Sequence, residues 1–233
     1  MTLKTKGIIP KAWRLARRLF LILFLAQLIY ILLLKWVYPP ITITQLGSVF
    51  RGEGLKRDYV GMKQISSYAK LAVITSEDQL FPDHDGFDFK SIDKAMKHNQ
   101  RSKSLHGAST ISQQVAKNVF LWQGRSWLRK AMEVYFTFMI EWVWGKKRIL
   151  EMYLNVSEMG AGVYGIEAAA RHYFNVPAKN LSRQQSAMIA SCLPNPKLYT
   201  IKPLSRRVAS RSSWIISQMT HLQDDDEILA LIQ

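Results

Sequence analysis

The chain has 233 residues, 48% of them hydrophobic and 11% aromatic, which excludes a disordered polymer and allows one domain with a sizeable core. Its net charge of +15 suits anionic lipid, a phosphate-bearing substrate or nucleic acid. A single cysteine, Cys192, excludes an intrachain disulfide, and its apolar neighbours indicate a small buried filler.

The first 38 residues predict a membrane anchor. Residues 1–18 contain six bases and no acid, and residues 19–34, LFLILFLAQLIYILLL, contain no charge. Lys35 can snorkel and Trp36 and Tyr38 suit the membrane interface, so the predicted span is residues 19–38. The basic flank places residues 1–18 in the cytoplasm and the remaining chain outside, away from chromosomes, which disfavours nucleic acid as a partner.

A cleaved secretory signal shares the basic start and the apolar run. Signal sequences, however, have apolar runs of up to about 15 residues that end in small residues, whereas this run ends in KWVYPP. The pattern therefore favours a retained single-pass anchor. After it, a proline pair and β-branched residues predict an extended linker over residues 39–50.

Residues 51–225 are predicted to form a compact, mainly α domain, followed by a tail at residues 226–233. Apolar residues at helical spacing predict a helix over about residues 62–78. Capping boxes formed by Thr110 with Gln113 and by Ser182 with Gln185 predict two further helix starts. Strand signals are nearly absent. The body remains basic, because residues 41–223 carry a net charge of +12.

The segment SEDQLFPDHDGFD, residues 76–88, holds five of the seventeen acids. Glu77 falls at the C-terminal end of the predicted helix, where the helix dipole disfavours a carboxylate by about 0.3–1 kcal/mol. We therefore expect a local cation to offset this cost. Phe81 and Phe87 would partly desolvate Glu77, and the neighbouring acids would add to the effect, raising its pKa toward that of a general base.

The other polar residues of this segment have simpler interpretations. Asp83, Asp85 and Asp88 surround a proline and a glycine, as turn and cap residues do. His84 has no second histidine at helical spacing, so a hydrogen-bonding role in the turn is favoured over a metal site.

In the segment GASTISQQVAKN, residues 107–118, small and hydroxyl residues precede a predicted helix start. The free N–H groups of a helix N-terminus can bind phosphate. Lys117 adds positive charge two turns later. An ordinary capped helix is the alternative. The sequence does not tell Gln113 from Gln114, since one can face the cap and the other solvent.

The next predicted helix places Arg129 and Glu133 one turn apart. As a surface ion pair they would stabilise the helix by only about 0.3–0.5 kcal/mol. Alternatively, Glu133 is the second acid of a two-carboxylate sugar site, and Arg125, Arg129 and Lys130 neutralise a phosphate leaving group. The residues alone leave both interpretations open.

Five segments in this order resemble the peptidoglycan glycosyltransferase family, found in bifunctional penicillin-binding proteins and in monofunctional transglycosylases. They are EDQLFPDHDGFD, GASTISQQVAKN, RKAMEVY, KRILEMYLN and the stretch from GVYGIEAAARHYF to LPNP. The resemblance covers about residues 60–200 and implies a mainly α, lysozyme-like glycosyltransferase domain. It implies an enzyme that polymerises lipid II, a disaccharide pentapeptide on undecaprenyl pyrophosphate, into β-1,4-linked strands outside the plasma (inner) membrane. We expect the monofunctional type, without transpeptidase activity.

The resemblance also implies roles for single residues. Glu77 would be the catalytic base that deprotonates the acceptor sugar's 4-hydroxyl. Glu133 would be the second catalytic acid, near the pyrophosphate, and would hold a divalent cation, Mg²⁺ or Mn²⁺. The positions that match the donor and pyrophosphate subsites are Ser109, Gln113, Lys117, Arg125, Arg129 and Lys130. Glu151 and Asn155 belong to a family motif, but we interpret both as structural.

The implied partners are lipid II, the nascent glycan strand, the inner membrane, and divisome or elongation proteins. We also expect an interleaved aromatic segment to dip into the lipid interface through Phe120, Leu121, Trp122 and Trp127. Two rival functions are a lytic transglycosylase that cuts glycan and a non-catalytic scaffold. The basic set around Lys117 disfavours the first, and the presence of both carboxylates disfavours the second.

Overall fold

The structure is a computed structural model that describes residues 8–101, 107–124 and 126–233. Within these residues the chain forms eleven α-helices and three short β-strands, which confirms the prediction of a mainly α protein. Two compact units are distinguished, one that ends at Val37 and one that comprises Tyr38–Gln233.

The first unit is dominated by helix α1, Ile8–Leu33. Its segment Lys11–Leu33 has 23 residues and includes an 18-residue window with a mean hydropathy of 2.0, and it is the one helix among the described residues long and apolar enough to cross a membrane. At about 1.5 Å per residue it exceeds the roughly 30 Å of a bilayer's hydrocarbon core. The predicted anchor is thus a helix that ends five residues before the predicted boundary at Tyr38.

The described part of the second unit contains ten α-helices. They are α2 (Ile43–Phe50), α3 (Ser67–Glu77), α4 (Phe89–Arg101), α5 (Ile111–Phe120), α6 (Trp127–Trp144), α7 (Lys146–Val156), α8 (Ile166–Phe174), α9 (Arg183–Cys192), α10 (Arg206–Leu222) and α11 (Asp226–Ile232). The strands are β1 (Lys56–Arg57), β2 (Glu158–Gly160) and β3 (Val163–Tyr164). β3 lies in the middle of the sheet, parallel to β1 and antiparallel to β2.

Helix packing brings the ends of α3 and α5 into the interior of this unit. α9 packs against α3 and α10, and α5 packs against α6 and α7. Ile74, Ile111, Ile140 and Leu150 are fully buried where these helices meet. Cys192 is fully buried as predicted, and burial raises the pKa of its thiol to about 12.

Both predicted boundary segments of the domain are structured. The linker prediction is wrong over Ile43–Phe50, because Thr42 and Gln45 form a capping box that starts α2. Residues 226–233 are likewise more than a tail. α11 packs against α3 and α7, buries Ile228 and Ile232, and accepts a 2.7 Å hydrogen bond from the buried Lys70 Nζ at the Ile232 carbonyl.

Glu151 and Asn155 have the structural role that the sequence suggested. The Asn155 side chain pairs with both backbone groups of Val60, at 2.8 and 3.0 Å. Glu151 Oε1 accepts hydrogen bonds from the Tyr38 hydroxyl at 2.8 Å and from the Met62 N–H at 3.1 Å. These contacts fasten α7 to the segment that precedes α3, so Tyr38 lies against α7 rather than serving as a free interfacial aromatic.

Candidate active site

Glu77 is the last residue of α3 and receives one neutral hydrogen bond on each carboxylate oxygen. Ser76 Oγ lies 3.0 Å from Oε1, and Gln114 Nε2 donates to Oε2 at 2.9 Å. The Tyr153 hydroxyl donates in turn to Gln114 Oε1 at 3.2 Å, which fixes the orientation of the amide. Among the described residues no cation pairs directly with this carboxylate, which is held in place by neutral donors.

The surroundings of Glu77 favour its protonated form. Burial raises the pKa of Glu77, while the hydrogen bonds from Gln114 and Ser76 and the charges of Arg211 and Lys117 partly oppose this effect. The cation expected at the end of α3 is Arg211, whose Nη2 donates to the Ser76 carbonyl at 3.2 Å. A carboxylate with a raised pKa is suited to accept a proton near neutral pH.

The segment that follows Glu77 is tied to the start of α5. Asp78 Oδ2 accepts a hydrogen bond from the N–H of Ile111 at 3.0 Å. The Gly86 N–H donates to His84 Nδ1, so by this assignment His84 Nε2 carries the proton and donates to Asp78 at 3.0 Å. The predicted turn role of His84 is confirmed, and Asp78 and His84 fix the position of Glu77 relative to α5.

The three other acids of this segment are turn and cap residues, as predicted. Asp88 Oδ1 accepts from the Ser91 N–H at 2.9 Å at the start of α4, while Asp83 and Asp85 are exposed. These acids do not bond to Glu77 in the described structure, so Glu77 is held by neutral donors.

The start of α5 separates the two adjacent glutamines. Gln113 is buried, and its Oε1 accepts the N–H of Thr110 at 3.1 Å in a capping box. Gln114 instead faces Glu77. Ser109 is exposed beside this helix start. Gln113 was predicted to bind substrate, but the structure places it in the helix cap, and Gln114 is the residue that sequence reasoning missed.

Glu133 lies on α6 and is only 3% exposed. Its Oε2 is 2.5 Å from Arg129 Nη1, and its Oε1 is 2.5 Å from Lys130 Nζ. Burial lowers the pKa of Lys117, and the negative charges of Glu133 and Glu77 both act against that lowering. The interpretation of a surface ion pair is wrong, because Glu133 is a buried anion held between two cations.

The Glu77–Gln114 hydrogen bond links the linings of two clefts, because Glu77 lines one and Gln114 lines the other. The Glu77 cleft has a volume of about 420 Å³ and is lined by residues that include Glu77, Asp88, Lys94, Ser109 and Trp214. The Lys117 cleft has a volume of about 220 Å³ and is lined by residues that include Gln114, Lys117, Tyr153, Glu158 and Pro194. A reaction that joins two substrate molecules requires two adjoining subsites of this kind.

The site residues do not by themselves form a metal centre. Among the described residues, no group of three or more His, Cys, Asp or Glu side chains could hold a metal ion. Both oxygens of Glu133 already face cations, so Glu133 and its neighbours do not fit a resident divalent cation. Arg125 lies outside the described residues. Dependence on Mg²⁺ or Mn²⁺ stays a prediction from the resemblance.

An exposed apolar face runs along α6, opposite Glu133. Trp127, Val134, Phe138 and Trp142 share this face, and Trp127 and Trp142 are 91% and 77% exposed. The prediction for the neighbouring segment is wrong for Leu121, which is fully buried and cannot reach lipid. Phe120 is half-buried and stacks on Phe136 with ring centroids 4.5 Å apart.

Comparisons with known proteins agree with these features. A family model described as Transglycosylase matches residues 43–220. The chain is 46% identical over 226 residues to a biosynthetic peptidoglycan transglycosylase of Pseudomonas aeruginosa, covering 93% of this chain and 97% of that relative. It is 47% identical over 209 residues to a protein of the same name from Aeromonas hydrophila, covering 88% and 89%. The chain therefore belongs to the transglycosylase family and has the predicted lysozyme-like, mainly α fold.

Proposed function

We propose that this protein is a peptidoglycan glycosyltransferase that polymerises lipid II into β-1,4-linked glycan strands and releases undecaprenyl pyrophosphate. The observation that carries the proposal is the placement of Glu77. Its carboxylate lines one cleft and is bonded to Gln114, which lines a second. It has a raised pKa and neutral donors, and the second cleft contains Lys117 of the basic group that Lys117, Arg129 and Lys130 form. The relatives named biosynthetic peptidoglycan transglycosylases support the same reaction class.

Glu77 acts as the general base in this proposal. Its carboxylate takes the proton from the 4-hydroxyl of the acceptor sugar as that oxygen attacks the anomeric carbon of the growing chain. The bond between the anomeric carbon and the pyrophosphate oxygen breaks, and its electron pair stays on the pyrophosphate. Attack from the opposite face converts an α-linked donor into a β-1,4 linkage. Gln114 and Ser76 keep the carboxylate oriented during this step.

The basic group stabilises the departing pyrophosphate. Negative charge develops on the leaving oxygen, and preorganised cations lower the energy of that charge more than mobile water does. Lys117 lines the cleft next to Gln114, and Glu133 holds Arg129 and Lys130 in fixed positions. From the family resemblance, Arg125 completes this group and Ser109 lines the donor subsite. Glu133 thus contributes by positioning cations.

A membrane-bound location follows from the substrate. Helix α1 is long enough to anchor the chain, and anchoring beside a lipid-linked substrate raises its effective concentration. The six basic residues of residues 1–18, ahead of the uncharged run at residues 19–34, favour a cytoplasmic N-terminus and a catalytic domain outside the inner membrane. In this proposal the exposed apolar face of α6 contacts the lipid surface. Association with divisome or elongation proteins stays a prediction.

A depth measurement tests the contact of α6 with lipid. A nitroxide attached at Phe138→Cys in reconstituted full-length protein should be more accessible to oxygen than to a water-soluble nickel complex. A nitroxide at Lys179→Cys, an exposed position before α9, should show the opposite order. Equal nickel accessibility at both positions would rule out insertion of this face.

Polymerisation of fluorescent lipid II by detergent-solubilised protein tests the function itself. Wild-type protein should make long strands that a muramidase digests, and Glu77→Gln should make none. Cleavage of preformed glycan without synthesis would replace the proposal with a lytic enzyme. A well-folded wild type that is inert toward both substrates, with or without Mg²⁺ and Mn²⁺, would indicate the scaffold.

A further inference from the structure

The guanidinium of Arg211 reaches the end of α3 from a distant part of the chain. α10 packs against α3, and Arg211 Nη2 lies 3.2 Å from the Ser76 carbonyl and 3.4 Å from Ser76 Oγ. Ser76 immediately precedes Glu77, and its hydroxyl is 3.0 Å from Glu77 Oε1. The three residues therefore form a continuous contact from a cation on α10 to the candidate base.

The contact with Arg211 restricts what the Ser76 hydroxyl can do. This hydroxyl has one hydrogen and two acceptors within reach, Glu77 Oε1 at 3.0 Å and the Ala190 carbonyl at 3.3 Å. Arg211 can only donate, so it occupies a lone pair of Oγ and leaves the hydroxyl hydrogen for one of these acceptors. The shorter and charge-assisted bond is the one to Glu77.

We propose that Arg211 is a positioning residue for the general base, which fixes the Glu77 carboxylate through Ser76 and maintains its negative charge. This inference rests on the proposed function, in which Glu77 receives the proton of the acceptor hydroxyl. On the other side, Gln114 donates to Glu77 Oε2 and is itself held by a hydrogen bond from the Tyr153 hydroxyl. Arg211 completes a two-sided support in which each oxygen keeps lone pairs for the substrate.

Several titratable groups face Glu77, and Arg211 is the one whose positive charge does not change with pH. Lys117 on α5 also favours the ionised carboxylate, but burial lowers the pKa of Lys117 itself. Tyr153 on α7 has a pKa raised by burial and stays neutral, and Asp78 is bonded to His84 and to the start of α5. Asp88, just before α4, and Lys94, within α4, line the same cleft as Glu77. A guanidinium does not lose its proton in the working range of pH.

The pH dependence of polymerisation separates this role from a purely structural one. Removing a positive charge raises the pKa of Glu77 further, so a higher pH is needed to form the base. For Arg211→Gln we expect the acid limb of kcat/KM to move up by about one pH unit. Activity should fall about tenfold on the acid side and recover at alkaline pH. Arg211→Lys keeps the charge and should retain most of the wild-type profile.

Two further variants complete the experiment. Arg207→Gln removes a cation one turn earlier on α10, where the guanidinium lies over the Tyr199 ring at 5.6 Å, and its profile should overlay that of wild type. Ser76→Ala removes the intermediate donor and should lower kcat with little change in KM. If Arg211→Gln fails to fold, Arg211→Lys and Ser76→Ala carry the test, and wild-type behaviour of Ser76→Ala would then overturn the proposal.

An unmoved acid limb in folded Arg211→Gln, or an equal loss of activity at every pH, would also overturn the proposal. Direct titration distinguishes such a result from failure of the proposed function. The side-chain ¹³C resonance of Glu77 can be followed with pH whether or not the protein makes glycan. Glu77 should titrate at higher pH in Arg211→Gln than in the wild type. In Arg207→Gln it should titrate as in the wild type. If wild type makes no strands, this titration alone decides whether Arg211 sets the ionisation of Glu77.

Discussion

Glu77 and Glu133 are both held in fixed positions, yet their partners differ in kind. Glu77 receives neutral hydrogen bonds from Ser76 and Gln114, and Arg211 contacts Ser76 rather than the carboxylate itself. Glu133 is in direct contact with Arg129 and Lys130 at 2.5 Å each. Neutral donors orient a carboxylate and leave it able to take a proton, whereas the two ion pairs of Glu133 leave both of its oxygens occupied by cations.

This difference in partners suits separate tasks for two residues that the sequence analysis both placed among the catalytic residues. A general base has to change its protonation state during each reaction cycle, and the raised pKa of Glu77 suits that change. A carboxylate that holds cations in place must stay ionised throughout. In the proposed reaction Glu133 therefore sets the geometry of the cations that meet the pyrophosphate, and variants of the two residues should fail in different ways.

Glu77→Gln should have the largest effect on activity. The amide cannot accept the proton from the acceptor hydroxyl, so we expect polymerisation to fall by a factor on the order of 10³. Single-turnover assays with fluorescent lipid II measure this loss. The fold should remain intact, because no ion pair is broken. A variant that keeps a tenth or more of wild-type activity would show that Glu77 is not the base.

Glu133→Gln should reduce both stability and activity. It leaves Arg129 and Lys130 without their anion, and because Lys130 is partly exposed we expect a loss of about 2–3 kcal/mol in unfolding free energy. Activity should fall about a hundredfold, since the cations lose their fixed positions. Thermal unfolding and the polymerisation assay give the two quantities.

Glu167→Gln supplies a matched control for that result. Glu167 is also a buried acid, paired with Arg171 at 2.6 Å on α8, but it lines neither cleft. Glu167→Gln should lower the stability of the protein, while the activity of the folded protein stays near that of wild type. If both variants lose activity only in proportion to the unfolded fraction, Glu133 has no role beyond stability.

The sequence predicted Glu77 because a carboxylate at a helix C-terminus conflicts with the helix dipole, and this local conflict is visible without a structure. It could not identify Arg211 as the compensating cation, because more than 130 residues separate the two along the chain. Contacts of that range depend on how α10 packs against α3. Leu121 was misassigned for a similar reason, since an apolar residue at a helix end can face either lipid or the core.

The glutamine pair shows a signal that was present but not used. Thr110 and Gln113 were identified as a capping box, and a residue whose side chain caps a helix is not free for substrate. That assignment already left Gln114 as the residue for the cleft. The wrong prediction of an extended linker at residues 43–50 has the same origin. Thr42 and Gln45 form a capping box that indicates a helix start, but the preceding proline pair favours an extended segment.

Alanine variants of the adjacent glutamines should separate support of the base from support of the helix. Gln114→Ala removes the donor to Glu77 Oε2, and we expect about a tenfold loss of activity with a small change in stability. Gln113→Ala leaves the buried Thr110 N–H without its acceptor and should cost about 1–2 kcal/mol of stability, with activity of the folded protein retained. The reverse pattern would place Gln113, as the family resemblance implied, at the substrate.

The smallest expected effect is a pH-dependent gain of stability in Glu77→Gln. The pKa of Glu77 is raised in the folded state, so this residue binds its proton more tightly folded than unfolded. Its contribution to stability is fully present below the unfolded pKa and is lost as pH rises through the folded pKa. The side chain of Glu77→Gln does not ionise, so the variant does not lose this stability as the pH rises. Its Tm should match wild type near pH 4 and exceed it above neutrality by a few degrees, about 2–4 °C per kcal/mol. A constant difference in Tm at all pH values would mean that burial does not shift the ionisation of Glu77, and the contrast with Glu133 would then rest on hydrogen bonding alone.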